Sequence, residues 1–428
     1  MNKRNFLFLQ GPTSPFFSQL GDKLLSRGAQ VYRVNFNMGD YCYWRGKPSW
    51  QFRGNSAQLP VWLEQKLIQY QITDIIMFGD TRPVNSAVIP LAKKHDIKQH
   101  VFEEGYLRPN YLTLEEDGVN SFSSLPKDPA WYLKVGLQLP ALKHNKNISN
   151  PIVVLGVHEV GYHLPGLLNP LFYAGYKTHR PFISGIELAG WAARLGLMPW
   201  HEKRDKQAID TLIASQTPYF ILPLQLDNDS QIQVHSRFDS MAEIIHHTLT
   251  SFARHAPAGT KLVIKNHPLD TGFTAYQKLI KAYESELGIE GRTLYLESGH
   301  LPTLLDHCEG TIVVNSTVGT SSLIHNRRTI TLADPIYNIP GLTSSCSLDH
   351  FWCDTEQPDM QLLDCFRRVV IHTTQINGGF YTRSGIDIGI DSSIERLLMT
   401  ESPLQQLFRK FPLHSQQTQS VEADITLA

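Results

Sequence analysis

At 428 residues the chain exceeds one ordinary core and fits two domains of roughly 150–200 residues each. Its 39 Lys and Arg stand against 40 Asp and Glu, a formal net charge of −1, which excludes the basic excess of a protein that neutralises phosphates along a nucleic acid. Five cysteines, an odd number without CxxC spacing, indicate neither a disulfide framework nor a zinc knuckle and fit a reducing cytoplasm.

The first ten residues put Lys3 and Arg4 before a short apolar run. That run falls below the roughly 7–15 residues of a signal-peptide core, so Phe6 to Leu9 reads as the first strand. Gln10-Gly-Pro-Thr-Ser-Pro then turns the chain into a helix from about Pro15 to Arg27. Val31 to Phe36 is the next strand and Trp62 to Gln71 the next helix. Asp74 to Phe78, closed by Gly79-Asp80, and Gln99 to Glu104, closed by Gly105, repeat the pattern of an apolar strand ending in a small or charged cluster. Strands of this kind alternating with helices predict a doubly wound α/β sheet that binds its ligand at the carboxyl edge.

From Lys127 to Ser215 the text turns aromatic and Pro- and His-containing, with His158, Tyr162, His163, Tyr173, Tyr176, His179 and Arg180, and reads as helical connection and interdomain packing. A second α/β unit opens at Tyr219 to Leu224 and is followed by a helix from about Met241 to His255. Strands at Leu262 to Ile264, Thr293 to Leu296, Ile312 to Val314 and Arg328 to Leu332 continue it. The boundaries expected are 1–215 for the first domain, 216–385 for the second, and 386–428 for a helix and a polar tail that frays from about Gln405. Two facing α/β domains imply a cleft between them. No stretch approaches the roughly 20 apolar residues of a spanning helix, so membrane contact is expected to be peripheral.

The chemistry-bearing residues fall at strand ends. After Val314, the run Asn315-Ser-Thr-Val-Gly-Thr-Ser-Ser322 offers hydroxyls and a helix start suited to a phosphate. After Ile264, Lys265 and Asn266 lead to His267, held in place by the φ-locked Pro268. Glu103-Glu-Gly-Tyr-Leu-Arg108 sets two carboxylates beside a glycine and an arginine, the makings of a general base or nucleophile; a surface turn with a structural Arg–Glu pair is the bland alternative. Asp227-Asn-Asp229 resembles a metal-holding triplet but reads here as a turn. Gly11, Gly39 and Gly79 follow strands without forming GxGxxG or GxxxxGK, which takes most of the support from the dinucleotide and P-loop readings.

Taken together, Gln10-Gly-Pro, Phe78-Gly-Asp-Thr-Arg-Pro83, Phe102-Glu-Glu-Gly-Tyr-Leu-Arg-Pro109, Asn228-Asp-Ser-Gln-Ile232, His267-Pro-Leu-Asp270, Asn315-Ser-Thr-Val-Gly319 and Ser321-Ser-Leu-Ile-His325 resemble the capsular polysaccharide Kdo transferases of the KpsS/LipB type, over about residues 5–385. The sequence is also similar to bacterial sialyltransferases, whose acidic-acidic-Gly, His-Pro and Ser motifs correspond to Glu103-Glu104-Gly105, His267-Pro268, and Ser316 with Ser321-Ser322. The resemblance implies a GT-B-like glycosyltransferase, two Rossmann-type domains facing a central cleft, with the acceptor on the N-terminal and the CMP-sugar on the C-terminal side. It implies CMP-Kdo as donor, a lysophosphatidylglycerol acceptor, retention of configuration, and no metal or other cofactor. Implied partners are the cytoplasmic face of the inner membrane and other capsule biosynthesis or export proteins, with no nucleic acid.

On this reading Glu104, Glu103 and His267 are the expected catalytic residues; adjacent strand residues face opposite ways, so one glutamate enters the cleft, and Glu104 is favoured because Gly105 beside it relieves crowding and because the sialyltransferase resemblance implies the second acidic residue. Donor contacts are expected from Lys265, Asn266, Pro268, Asn315, Ser316, Thr317, Ser321, Ser322, Arg108, Gln225, Gln231 and Gly11. Arg108, Gln225 and Gln231 are the candidates for the Kdo carboxylate. The segment Tyr173 to Arg180 is the expected acceptor mouth near the membrane. Two alternatives are a transferase using another nucleotide sugar, with metal at Asp227 and Asp229, and a non-catalytic adaptor of capsule export.

Overall fold

The computed structural model describes residues 4–44, 46–142, 147–148, 151–176, 184–226, 232, 234–268, 270 and 274–413, with backbone alone for residues 152 and 184–195. Asp227, Asp229, Gln231 and the stretch 177–180 therefore lie outside the described residues.

The strands are β1 (Asn5–Phe8), β2 (Gln30–Asn35), β3 (Trp50–Gln51), β4 (Asp74–Phe78), β5 (Lys98–Glu104), β6 (Tyr111–Glu116), β7 (Tyr219–Pro223), β8 (Lys261–Lys265), β9 (Thr293–Leu296), β10 (Gly310–Val313), β11 (Arg328–Thr331) and β12 (Gln375–Asn377). They form a seven-stranded sheet in the order β12-β6-β5-β4-β1-β2-β3 and a five-stranded one in the order β11-β10-β7-β8-β9. In the first, β3, β2, β1, β4 and β5 are parallel, β6 runs antiparallel to β5, and β12, antiparallel to β6, again runs in the direction of the other five. The second is parallel throughout. In both, the first strand lies centrally and the chain winds outward to either side, the doubly wound order expected of two Rossmann-type units in a GT-B-like arrangement.

Alternation of side chains explains the layering. In β1, Phe6 and Phe8 point to one core with Phe16, Phe17 and Leu20 of the helix Phe16–Ser26. Leu7 and Leu9 point to the other, with Leu59, Leu63 and Leu67 of the helix Leu59–Gln69. Burial on both faces is why these strands are almost wholly apolar. In the second unit the helix Met241–His255 is capped by the Ser240 hydroxyl and packs Ile244, Ile245, Leu249 and Phe252 against Phe220, Leu222 and Leu262.

Two features depart from the expected boundaries. The chain re-enters the first sheet at β12, pairing Gln375 with Thr113, and the helix Arg383–Leu397 packs Ile386, Ile390 and Ile394 against Phe6, Phe8 and Phe16. Thus the stretch before residue 385 already belongs with the first unit. Beyond Gln405 the helix Pro403–Lys410 continues, closed by a Ser402/Gln405 capping box, and Leu404 and Phe411 sit in a core rather than a frayed tail. That core joins the units: Tyr106, Leu107, Trp131 and Tyr132 pack with Val313, Leu323, Tyr337 and Phe366.

Candidate active site

The carboxyl edge of the first sheet carries the two glutamates. The ladder between β5 and β6 runs through both, with Glu103 opposite Thr113 and Glu104 opposite Leu112, and the Thr113 hydroxyl donates to the Glu104 carbonyl at 3.0 Å. Their side chains therefore leave opposite faces. The Glu103 carboxylate accepts the Glu104 N–H at 2.9 Å and lies 3.4 Å from where a Cβ on Gly79 would stand. Gly79 has φ +69°, so a side chain there would be strained by its backbone although the space beside Glu103 would admit a Cβ. The Tyr381 phenol is pushed well up by burial, with the charges of Glu104, Glu159 and Glu103 adding to it. Gly105 admits no Cβ, which would stand 2.1 Å from the Tyr111 carbonyl oxygen. Gly11 proves to be a packing position: a Cβ would meet the Phe17 ring at 2.5 Å, and its carbonyl accepts from Arg82 at 2.8 Å.

On the second sheet the order β10-β7-β8 sets three strand ends side by side. Gln225 and Asn315 are joined by an Nε2 to Oδ1 hydrogen bond of 3.1 Å. Lys265 is buried, with its ammonium 3.4 Å from the Asn266 carbonyl. Asn266 donates to Glu297 at 2.9 Å and accepts the His267 N–H at 2.8 Å, so it braces the turn that presents His267 and the exposed Pro268. His267 stands two strands from Asn315, roughly 10 Å at ordinary strand spacing.

The helix Val318–Ile324 decides which hydroxyls face the cleft. The Ser316 hydroxyl accepts the Val318 N–H at 3.2 Å, and Thr317 occupies the cap. Thr317 and Ser321 both line an interdomain cavity. Ser322 points the other way: it is fully buried, its hydroxyl donating to Thr311 at 2.8 Å and accepting from Thr329 at 2.9 Å. The expectation that Ser322 contacts the donor is corrected accordingly; neighbours on a helix lie about 100° apart, so Ser321 and Ser322 cannot share a face.

Two adjoining cavities open between the units. One is lined by Tyr106, Asn120 and Ser121 from the first and by Asn315, Thr317, Thr320, Asp334 and Tyr337 from the second. The other, of roughly 320 Å³, is lined by Tyr106, Leu107, Arg108, Asn110, Tyr111, Leu142 and Asn147 against Thr317, Thr320, Ser321, Ile324, Arg367 and Ile371. The structure thus brings Arg108 together with Thr317 and Ser321, whereas Glu103, Glu104, His267, Lys265, Asn266 and Gln225 line neither cavity. Of the segment expected to form the acceptor mouth, Tyr173 is buried and hydrogen-bonds Gln51, and residues 177–180 lie outside the described residues.

Several residues escaped the sequence reading. Tyr106 lines both cavities, and its hydroxyl donates to Glu115 at 2.6 Å while accepting the Asn120 N–H at 2.7 Å. Burial pushes the Glu115 carboxyl up to about 7, against hydrogen bonds from Ser123 and Tyr106 that favour its charge. His235 crosses from the second unit to hydrogen-bond Ser121 and stack edgewise on Phe122, 4.9 Å between centroids. Burial lowers it to about 4, so the ring is neutral at pH 7, and its Nε2 has no hydrogen-bond partner among the described residues. Arg367 comes from the helix Met360–Thr373, whose apolar spacing reads in sequence as ordinary packing.

A profile of the family described as capsule polysaccharide biosynthesis protein matches residues 73–381. The chain is 35% identical over 388 residues to the capsule polysaccharide modification protein LipB of Neisseria meningitidis serogroup B, covering 89% of this chain and 92% of that one. It is 35% identical over 382 residues to the capsule polysaccharide export protein KpsS of Escherichia coli, covering 89% and 98%. Among solved structures, the β-Kdo 2,7 transferase of Thermosulfurimonas dismutans KpsC aligns over 91% of this chain and 98% of its own, at 12% identity and a TM-score of 0.41.

Proposed function

Because this chain belongs to the capsule polysaccharide biosynthesis protein family, we propose that it is a glycosyltransferase that moves Kdo from CMP-Kdo to a lysophosphatidylglycerol acceptor and so starts the lipid-linked linker of a capsular polysaccharide. The observation that carries this reading is the interdomain cleft, where Arg108 of one unit and Thr317, Thr320 and Ser321 of the other line a single cavity. CMP is a monophosphate leaving group. Hydroxyls, backbone N–H groups and a guanidinium can stabilise its developing charge without a metal.

In this mechanism the second sheet holds the nucleotide through Asn315, Ser316, Thr317 and Ser321, with Asn266 bracing His267 toward the departing phosphate. Glu104 acts on the sugar. For a retaining reaction it is a nucleophile or an ion-pair stabiliser of the cationic sugar, and Glu103 is a positioning residue that holds the Glu104 N–H.

Peripheral contact with the inner-membrane surface is part of the reading. Its support is the segment 153–172, where Val153, Val157, Val160 and Leu164 form an outward stripe on successive turns and Leu167, Leu168, Leu171 and Phe172 extend it. Val153 is 72% and Leu171 78% exposed, a concentration of uncovered apolar surface that suits a lipid boundary. Its inner side reaches the cleft edge through Glu159, which accepts from Thr13 at 2.7 Å, and His158, 3.1 Å from the Tyr381 carbonyl. Among the described residues no helix is long and apolar enough to cross a membrane.

The test is mass analysis of the product formed from CMP-Kdo and a fluorescent lysophosphatidylglycerol, with and without EDTA. A Kdo-bearing lipid formed equally in both is expected. Absence of transfer by protein that still binds CMP would refute the transferase reading in favour of an adaptor, and loss of turnover on chelation would point to a metal-dependent donor site.

A further inference from the structure

The cavity between the units, roughly 320 Å³, holds two arginines, Arg108 and Arg367, and among the described residues no Asp or Glu lines it. Arg108 is exposed and Arg367 half-buried. Neither has a carboxylate partner among the described residues, and the Arg367 Nε is buried with no hydrogen-bond partner. The adjacent acids are engaged elsewhere: Asp364 pairs with Arg368 at 2.6 Å and Asp334 with Lys127 at 2.9 Å. Two cations lining one cavity without a counter-charge repel each other, and the buried Arg367 Nε is left without a partner, costs that an anionic ligand reduces. The hydroxyls of Thr317 and Ser321 lie on the same wall, and Leu107, Leu142, Ile324 and Ile371 supply an apolar one.

We propose that this cavity is an oxyanion subsite in which Arg108 and Arg367 together grip the phosphate of a phosphate ester. The inference rests on the transferase reading for the two esters considered, the nucleotide monophosphate of the donor and the phosphodiester of the lipid acceptor. A guanidinium fork suits either, since it pairs with a phosphate through parallel hydrogen bonds. The apolar wall matches the start of an acyl chain, and the Thr317 and Ser321 wall matches the nucleotide. Arg367 acts as a binding residue in both cases.

The experiment is calorimetric titration of the full chain, first with CMP and then with hexanoyl-lysophosphatidylglycerol below its micelle concentration, using hexanoylglycerol as the phosphate-free control. Arg367→Gln should weaken binding of at least one phosphate ester by roughly 10- to 100-fold, and Arg367→Lys should recover part of the loss. A loss confined to CMP assigns the subsite to the donor; a loss confined to the lysolipid, with hexanoylglycerol binding unchanged, assigns it to the acceptor. Affinities within twofold of wild type for both esters, in a variant of unchanged melting temperature, would overturn the proposal, as would wild-type binding of neither. If Arg367→Gln does not fold, Arg108→Gln at its exposed position serves the same test. No turnover is needed, so failure of Kdo transfer would sink the transferase reading and leave this result standing.

Discussion

Glu115 sits behind the cleft and holds the Tyr106 hydroxyl, so replacing it by Gln tests both the electrostatics of the site and its mechanical support. The carboxyl is fully enclosed and moves from an ordinary 4.5 to about 7, with burial as the main cause and the charge of Asp80 adding to it. A displacement of that size is worth on the order of 3 kcal/mol. The sign follows from proton binding. Between about pH 4.5 and 7 the native state holds a proton on Glu115 that the unfolded chain has released, so stability falls as pH rises through this window and the loss is complete above it. Glu115→Gln removes the titration while keeping the contacts: its carbonyl accepts from Tyr106 and its amide donates to the Ser123 hydroxyl, which already accepts the Leu125 N–H at 3.2 Å. Urea unfolding of both proteins at pH 5, 6, 7 and 8 measures the effect, with other titrating groups cancelling in the difference. The variant should gain on wild type by up to about 3 kcal/mol from pH 5 to pH 8. A difference that stays constant across this range would refute the assignment of a neutral, buried Glu115.

The two glutamates should separate cleanly: Glu104→Gln should keep the fold and CMP binding while losing transfer, whereas Glu103→Gln, which weakens the brace on the Glu104 N–H by replacing a carboxylate acceptor with a neutral amide oxygen, should chiefly lower the melting temperature; paired activity and melting assays giving the reverse would overturn the roles. Ser321→Ala should weaken CMP binding by calorimetry, whereas Ser322→Ala, which breaks buried contacts to Thr311 and Thr329, should leave CMP affinity intact and cost roughly 1–3 kcal/mol of stability. Replacing both Leu167 and Leu171, 63% and 78% exposed, by Glu should reduce flotation with phosphatidylglycerol vesicles by at least about tenfold without altering the melting temperature; unchanged flotation would place the lipid contact elsewhere.

All five strands of the second sheet, and β1, β2, β4 and β5 of the first, were legible because a buried parallel strand writes itself locally, as a short β-branched or aromatic run that stops at polar residues, whereas β3, β6 and β12 were not read. The run Thr293–Leu296 and the helix Met241–His255 fall where the sequence reading put them, the helix closed at its start by the Ser240 hydroxyl. Motif order likewise identified the family, and carried Glu103, Glu104, His267 and the Ser/Thr loop to the carboxyl edges. What remained for tertiary structure was every question of facing and of distant pairing. The three residues of β12 are too few to carry a period, and their place beside β6 depends on a partner over two hundred and fifty positions away. Ser321 and Ser322 are alike as text, but the rotation of one short helix turns the first to the cavity and the second into a hydroxyl network. Arg367 reads as the polar face of an amphipathic helix, and only the docking of that helix against the first unit sets its guanidinium across a cavity from Arg108. Local sequence fixes a backbone through short-range sterics and hydrogen bonding, whereas a site between two units is made by packing, which no local window contains.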